Sequence, residues 1–170
     1  LSAKKPIDKI TIKEITDKAG VIRPTFYNHF QDKYEPIEWI IKSELLEPIK
    51  PLLNAGMIFE AIVLMLNNIS ANSVFYKKAL KLEGAVTFNQ IAMKCVYEMF
   101  MNIISEKSTG KKSKYRWLTP EVISTYYAQS LCFITEGWIA QGMDDIEPKE
   151  MAEAYMYLIT RSMDDILSEL

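Results

Sequence analysis

Apolar residues recur every three or four positions along most of the chain, the spacing of helices that bury one face in a core. The Asn-Gly and Asp-Gly pairs that mark tight β-hairpins do not occur in the sequence. The pattern therefore predicts an all-α protein.

Three short helices are predicted in the first fifty residues. The first begins at the capping-box sequence Thr11–Glu14 and ends at Gly20. The second covers about residues 22–30. The third begins near Asp32 and is expected to end at the two prolines of residues 47–51, because proline removes a helical hydrogen bond and clashes with the preceding turn.

Longer helices are predicted after residue 56, at Met57–Ile69, Ser73–Leu82, Phe88–Ser105, Thr119–Gln141 and Pro148–Glu169. Phe88–Ser105 is apolar except for a polar stripe at every fourth position, formed by Gln90, Lys94, Glu98 and Asn102, so it is expected in the middle of a bundle. Pro148–Glu169 carries two adjacent apolar seams. Such a helix is either buried in its own subunit or packed on a second copy, and its terminal position favours the second copy.

The chain is long enough for one or two cores, with 170 residues of which 49% are hydrophobic. Its net charge is −2, but the charge is uneven. Residues 1–34 carry seven Lys/Arg against four Asp/Glu, and the remaining residues carry thirteen against eighteen. A basic first segment indicates an anionic partner at that end. The basic stretch Glu106–Pro120 is interpreted as a solvated loop, with a DNA contact as the less favoured alternative.

The sequence offers little for enzyme chemistry. Cys95 and Cys132 lie in apolar runs without metal-ligand spacing, which is typical of buried thiols in a reducing compartment such as the cytoplasm. His29 is the single histidine, and no nucleophilic set or phosphate-binding glycine loop accompanies it. No apolar run reaches the length of a membrane span. We therefore expect no enzyme activity, cofactor, metal or membrane partner.

The segment GVIRPTFYNHF, residues 20–30, has the pattern of a recognition helix. On a helical wheel Phe26 and Phe30 share one face, whereas Pro24 and Asn28 lie opposite on a face without acidic residues. Two short helices joined by a glycine turn form a helix-turn-helix, whose second helix enters the major groove of DNA. A buried, structural His29 remains the alternative to a DNA contact.

The residues of this motif suit DNA chemistry. Arg23 matches guanine, Asn28 matches adenine and Pro24 can touch a thymine methyl group. Hydroxyl, imidazole and ammonium groups that can donate to phosphate oxygens are supplied by Thr25, Tyr27, His29 and Lys33.

The stretch ITIKEITDKAGVIRPTFYNHFQDKYEPIEWI, residues 10–40, resembles the DNA-binding head of the tetracycline-repressor (TetR/AcrR) family of bacterial regulators. The resemblance implies base-facing roles for Arg23, Pro24 and Asn28. It implies phosphate contacts from Thr11, Thr25, Tyr27, His29 and Lys33, and a contact of either kind from Lys13. Where the family has a small capping hydroxyl, this chain has Ile22, which weakens the helix start by about 1 kcal/mol.

The resemblance also implies a domain organisation. Residues 1–47 would form the DNA-binding domain, with its first helix truncated, and residues 48–170 would form an antiparallel bundle for regulation and dimerisation. The chain would then bind a palindromic double-stranded operator as a homodimer. Its last two long helices would pair with those of the second subunit, through Ile123, Tyr127, Leu131, Ile134, Trp138, Tyr155, Leu158, Ile159, Met163 and Ile166.

A small-molecule effector would bind in the C-terminal domain. The candidate pocket residues are Met, aromatic and aliphatic side chains that suit an apolar ligand: Val96, Met99, Phe100, Ile103, Tyr126, Tyr127 and Trp138. The same residue types at helical spacing are more often part of a plain core. A looser resemblance to the branch that includes the activator of dihydroxyacetone-kinase operons implies a different signal, a protein coregulator.

Overall fold

In the computed structural model, which describes residues 1–84, 86–107 and 113–169, helices form all the regular structure. A 3₁₀ turn at Ile7–Lys9 precedes the first helices. The helices are α1 Ile12–Ala19, α2 Arg23–Tyr27, α3 Glu35–Ile40, α4 Glu47–Asn54, α5 Ile58–Ala71, α6 Ser73–Ala79, α7 Phe88–Lys107, α8 Pro120–Ala140, α9 Pro148–Thr160 and α10 Met163–Glu169. The all-α prediction is confirmed.

α3 and α4 belong to one continuous helical run, because a π-helical segment at Ile41–Leu46 joins them. The prediction that the prolines end this helix is wrong. The run passes Pro48 directly after the π-helical segment, which already departs from α-helical hydrogen bonding, and it continues past Pro51 to Asn54. The Glu44 carbonyl, four residues before Pro48, accepts the Asn68 side-chain N–H at 3.0 Å instead of a helical N–H.

The C-terminal helix is broken, contrary to the prediction of a single helix over 148–169. α9 ends at Thr160, and Arg161 has an extended backbone with φ −103° and ψ 151°. α10 then starts afresh, since the Asp165 N–H donates to Ser162 Oγ at 3.1 Å and the Ser162 hydroxyl donates to Asp165 Oδ2 at 2.7 Å. The two seams predicted for one helix therefore lie on two helices.

A single core runs through the body of the molecule, from Ile37 on α3 to Tyr155 on α9. α5 packs against α4 and α9, while α7 packs against α8 and against the linking helix α3. The head has its own small buried set, Ile10, Thr16 and Phe26. The predicted boundary at residue 47 falls within the continuous helical run and stays a prediction.

None of the described helices is by itself long and apolar enough to cross a membrane. The consecutive helices α5 and α6 reach that length and composition only together, and they meet at an angle of 88°.

Candidate DNA-binding surface and regulatory cavity

Specific residues fix both ends of α1. Thr11 caps α1: the Glu14 N–H donates to its hydroxyl oxygen at 3.2 Å, and its own N–H donates to Glu14 Oε2 at 2.9 Å. Lys5 pairs with the same carboxylate at 2.7 Å, and its hydrogen bond is the main cause that lowers the pKa of Glu14 to about 2. Gly20 ends α1 with φ 69°, a conformation that favours glycine.

α2 is held to the head by its aromatic residues. Phe26 is buried, and its ring centroid lies 5.3 Å from that of Phe30. The helix is shorter than predicted, because regular α-helix ends at Tyr27 and residues 28–30 continue as turns bonded back to Pro24 and Phe26. Ile22 precedes the helix and makes no side-chain capping bond, because its aliphatic side chain has no hydrogen-bond acceptor.

The side chains predicted to face DNA form an exposed surface on one end of the molecule. Arg23, Pro24, Tyr27, Asn28 and His29 are exposed, and Thr25 is half-buried. Thr11 and Lys13 are exposed at the start of α1. The alternative of a buried, structural His29 is therefore wrong: this imidazole is open to water, and its ring centroid lies 6.4 Å from that of Phe30.

Lys33 differs from the other predicted phosphate ligands. It is half-buried, its ammonium group donates to the Asp8 carbonyl oxygen at 2.6 Å, and it lies over the Tyr34 ring at 5.3 Å. This bond ties the 3₁₀ turn to the segment after α2, so Lys33 has a structural task in the head. An ammonium carries three donors, which leaves it two for a phosphate.

One exposed residue of the head was absent from the predicted DNA contacts. Ile22 exposes 68% of its surface directly before Arg23, the first of the base-facing candidates. An apolar side chain in that place can contact a thymine methyl group. The signal was already in the sequence, as the apolar residue at a position that normally needs a hydroxyl.

Four charged side chains join the head to the body. Lys42 Nζ lies 2.7 Å from Glu38 Oε1 on α3 and 2.8 Å from Glu98 Oε2 on α7, and Lys94 Nζ lies 2.9 Å from Glu38 Oε2. The hydrogen bond from Lys42 is the main cause that lowers the pKa of Glu38. The polar stripe predicted on α7 thus faces the linking helix through Lys94 and Glu98.

A cavity of about 380 Å³ lies in the body, at the end remote from the head. Its wall is apolar apart from a few hydroxyl groups and comes from α4, α5, α7, α8 and α9. Tyr155 supplies one hydroxyl, 3.1 Å from Ser130 Oγ, and burial raises its pKa. Such a volume and lining suit a small, largely apolar molecule.

Three of the seven predicted effector residues meet at this cavity: Met99, Phe100 and Tyr127. The other four lie elsewhere. Val96 faces a separate cavity of about 40 Å³, Ile103 packs on the core, Tyr126 is exposed, and buried Trp138 donates its indole N–H to the Ile146 carbonyl at 2.9 Å. The sequence missed the walls from α4, α5 and α9, because only the tertiary packing brings these helices together.

The predicted dimer residues divide into two groups. The first group packs within its own subunit. Leu131, Trp138 and Tyr155 are buried, and the cavity is lined by Ile123, Tyr127 and Ile159 together with Leu131 and Tyr155. Leu158 and Met163 are exposed, and Ile134 and Ile166 are half-buried. The exposed apolar face of α8 lies instead at Tyr126, Phe133, Gly137 and Ala140.

Both cysteines are core residues. Cys95 and Cys132 are buried free thiols, and burial raises the pKa of each to about 12, so neither forms a reactive thiolate near neutral pH. Within the described ranges no three His, Cys, Asp or Glu side chains come together as metal ligands.

The chain resembles known proteins over nearly its whole length. Residues 1–35 match the family described as "Bacterial regulatory proteins, tetR family", and residues 57–161 match "Transcriptional regulator C-terminal region". One relative is the HTH-type dhaKLM operon transcriptional activator DhaS of Lactococcus lactis subsp. lactis (strain IL1403). It is 27% identical over 136 residues, which are 79% of this chain and 71% of the relative.

A solved structure, named dihydroxyacetone kinase operon activator DhaS, has the same fold. It superposes with a TM-score of 0.61 over 93% of this chain and 86% of that chain, at 21% sequence identity. The matched families and relatives are transcriptional regulators and not enzymes.

Proposed function

The chain belongs to the TetR family of bacterial transcriptional regulators, and on that premise we propose that it acts as a homodimer on a palindromic operator, under the control of a ligand bound in its C-terminal domain. The proposed sequence-specific DNA binding rests on one observation, the exposed surface of α2 without acidic residues. Its place of action is the cytoplasm, where a bacterial regulator meets DNA.

In this proposal α2 enters the major groove with its first residues leading. Arg23 contacts guanine through two hydrogen bonds, Asn28 contacts adenine, and Pro24 touches a thymine methyl group. Phosphate oxygens are bound by Thr11, Thr25, Tyr27, His29 and Lys33, and Lys13 reaches either phosphate or base. The Gly20 turn and buried Phe26 support this placement, because the turn sets the direction of the chain between α1 and α2 and Phe26 anchors α2 in the head.

Replacing Arg23 tests the base contact. Arg23→Ala should weaken operator binding by about 1–3 kcal/mol and relax the preference at one base pair, because a two-point contact to guanine is lost. Tyr27→Ala should weaken binding to all sequences alike. The measurement is a mobility-shift titration on DNA selected from a random library. Lys50→Ala, which removes an equal charge from an exposed position of α4, is the control and should change operator binding little. Unaltered binding by Arg23→Ala would refute the assignment.

The dimer contact is proposed on the exposed face of α8, with α9 beside it. Phe133 exposes 77% of its surface and Tyr126 exposes 60%, which is unusual for aromatic residues of a helix that has no partner. Gly137 and Ala140 on the same face are small, and no atom lies within 4 Å of a Cβ built on Gly137, so a second helix can approach closely there. Leu158 on α9 extends the apolar surface.

Ligand control is proposed through the cavity of about 380 Å³. Ala61 lies on its wall, so Ala61→Met should fill part of the space and exclude a ligand, while leaving α2 untouched. The deproteinised extract of the host cell should change operator binding by the unmodified protein and have a much smaller effect on this variant. Ala71→Met, an exposed substitution on the same helix, is the control and should respond like the unmodified protein.

The second candidate signal is a protein coregulator, and the same experiment separates the two. If the deproteinised extract has no effect and the whole extract does, the partner is a polypeptide and the cavity proposal is wrong. The name of the Lactococcus relative further supports an operon of dihydroxyacetone kinase as the target, with activation as the outcome. Binding to the region upstream of such an operon in the same genome tests that target.

A further inference from the structure

A basic aromatic patch precedes α8. This loop patch, residues 114–118, consists of Lys114, Tyr115, Arg116, Trp117 and Leu118, and all five are exposed. Trp117 exposes 74% of its surface and Tyr115 exposes 61%. Lys114 lies over the Tyr115 ring at 5.5 Å. Neither the DNA-binding surface nor the cavity uses this patch.

α10 is complementary to the loop patch, because it exposes apolar side chains and carries acidic residues. Met163 and Leu167 expose 75% and 61% of their surfaces, on a helix too short to be stable without packing. α10 carries three acidic residues and no basic one. Ser162 caps the helix and the Asp165 carboxylate accepts its hydroxyl hydrogen, while Glu169 accepts a hydrogen bond from Tyr157, which leaves Asp164 exposed beside Met163.

Both surfaces lie at the end of the molecule remote from the head. Ile123, near the start of α8, and Thr160, at the end of α9, line the same cavity, so the loop patch and α10 emerge close to one another. Lys107, at the end of α7, donates to the Leu53 carbonyl at 2.8 Å, at the end of the helical run that starts in the head. A DNA contact is therefore excluded for the loop patch.

The geometry points to a second copy of this chain as the occupant: we infer that α10 of each subunit packs on the loop patch of its partner. This inference rests on the proposed homodimer. Two heads that face one duplex require a two-fold axis that runs from the heads to the remote end, which brings both remote ends together. Acidic α10 then meets the basic patch, and Met163 and Leu167 meet Trp117 and Tyr115.

Two charge-reversed variants test the contact. The loop variant is Lys114→Glu with Arg116→Glu, and the tail variant is Asp164→Lys, which spares Asp165, the capping partner of Ser162. In either homodimer like charges face each other at both symmetric contacts, so each dissociation constant should rise on the order of tenfold. In a mixed dimer both contacts join opposite charges. Native mass spectrometry of the mixture should therefore show a marked excess of heterodimer.

Each contrary result has a distinct meaning. Statistical mixing, about one half heterodimer, by a protein that is otherwise dimeric would overturn the α10 contact and leave the proposed dimer intact. A monomeric unmodified protein would overturn both. Weakened homodimers that mixing does not rescue would place the contact within one subunit or against another protein, and would also overturn the inference. Lys149→Glu, an exposed charge reversal at the start of α9, is the control and should mix statistically.

Discussion

Ile22 sits where the recognition helix begins, and it leaves the first N–H groups of that helix without a side-chain acceptor. Its backbone already has the extended conformation of a capping residue, with φ −90° and ψ 157°. Pro24 lowers the cost, because its nitrogen carries no hydrogen and its ring holds φ near the helical value. The carbonyl of Ile22 still accepts the Phe26 N–H at 3.3 Å, so the helix forms without a cap.

Restoring the cap should stabilise the head. Ile22→Ser should raise the free energy of unfolding by about 1 kcal/mol, because the hydroxyl accepts the Thr25 N–H. The same change should weaken DNA binding if the exposed isoleucine contacts a thymine methyl group. Urea unfolding and operator titration measure the two effects. Ile22→Ala is the matched control, and equal stability of the two variants would contradict the capping argument.

At the scale of single residues, the sequence predicted the features that depend on hydrogen bonds between near neighbours in the chain. The capping box at Thr11, the left-handed Gly20 and the cap of α8 at Thr119 all depend on partners within four residues, and the structure contains each of them. Exposure of His29 and the bond from Lys33 to Asp8 depend on how the head folds back on itself, so the sequence left them open.

Between elements, the linking helix carries the head on the body, and the network of Glu38, Lys42, Lys94 and Glu98 fixes it to α7. The π-helical segment at Ile41–Leu46 contributes Lys42 to this network and leads past Pro48 into α4. In the proposed ligand control, a shift of α7 would be transmitted through these ion pairs to Glu38 and Lys42.

The network predicts a pH-dependent contribution to stability. The pKa of Glu38 lies below its usual 4.5, so its stabilising effect is fully present above that value and is lost as the pH falls through the lower folded-state pKa. Glu38→Gln should lower the free energy of unfolding by about 1 kcal/mol at pH 7, after allowance for partial solvent exposure.

That difference between Glu38→Gln and the unmodified protein should shrink as the solution is acidified below the usual pKa of the carboxyl, since both forms are then neutral at this position. Thermal or urea unfolding across the acidic range measures it. Glu47→Gln is the control, because Glu47 pairs with Lys50 on the exposed surface of α4 and should contribute little at any pH. A difference that is constant with pH would contradict the role of Glu38.

Packing between elements also explains where the sequence-based predictions were wrong. Helix periodicity identifies an apolar stripe, but α8 has several apolar directions and the sequence cannot assign each to its neighbour. Trp138 and Leu131 proved to face the core, whereas Phe133 faces outward. The break at Arg161 was detectable, because Ser162 and Asp165 have capping-box spacing. The continuation of the helical run from α3 past Pro48 into α4 was not detectable, since it depends on a π-helical turn that no local sequence pattern predicts.

In the whole molecule, the two ends have different proposed functions. The basic head, with net charge +3 over residues 1–34, carries the proposed DNA-binding surface, and the acidic body carries the cavity and the proposed dimer contacts. In the proposed homodimer one head contacts only half of a palindrome, so dimerisation through α8 would have to precede tight binding. Phe133→Glu, which places a charge on that face, should therefore give monomers that lose operator affinity while their heads stay folded.

The most direct test of the central claim is the number of chains on the operator, measured by sedimentation of the protein with a palindromic duplex selected from a random library. The account predicts two chains per duplex, with much weaker binding when one half-site is scrambled or when about five base pairs separate the half-sites further, since that turns them to opposite faces of the helix. A single chain per duplex, bound as tightly to a half-site as to the full palindrome, would contradict it.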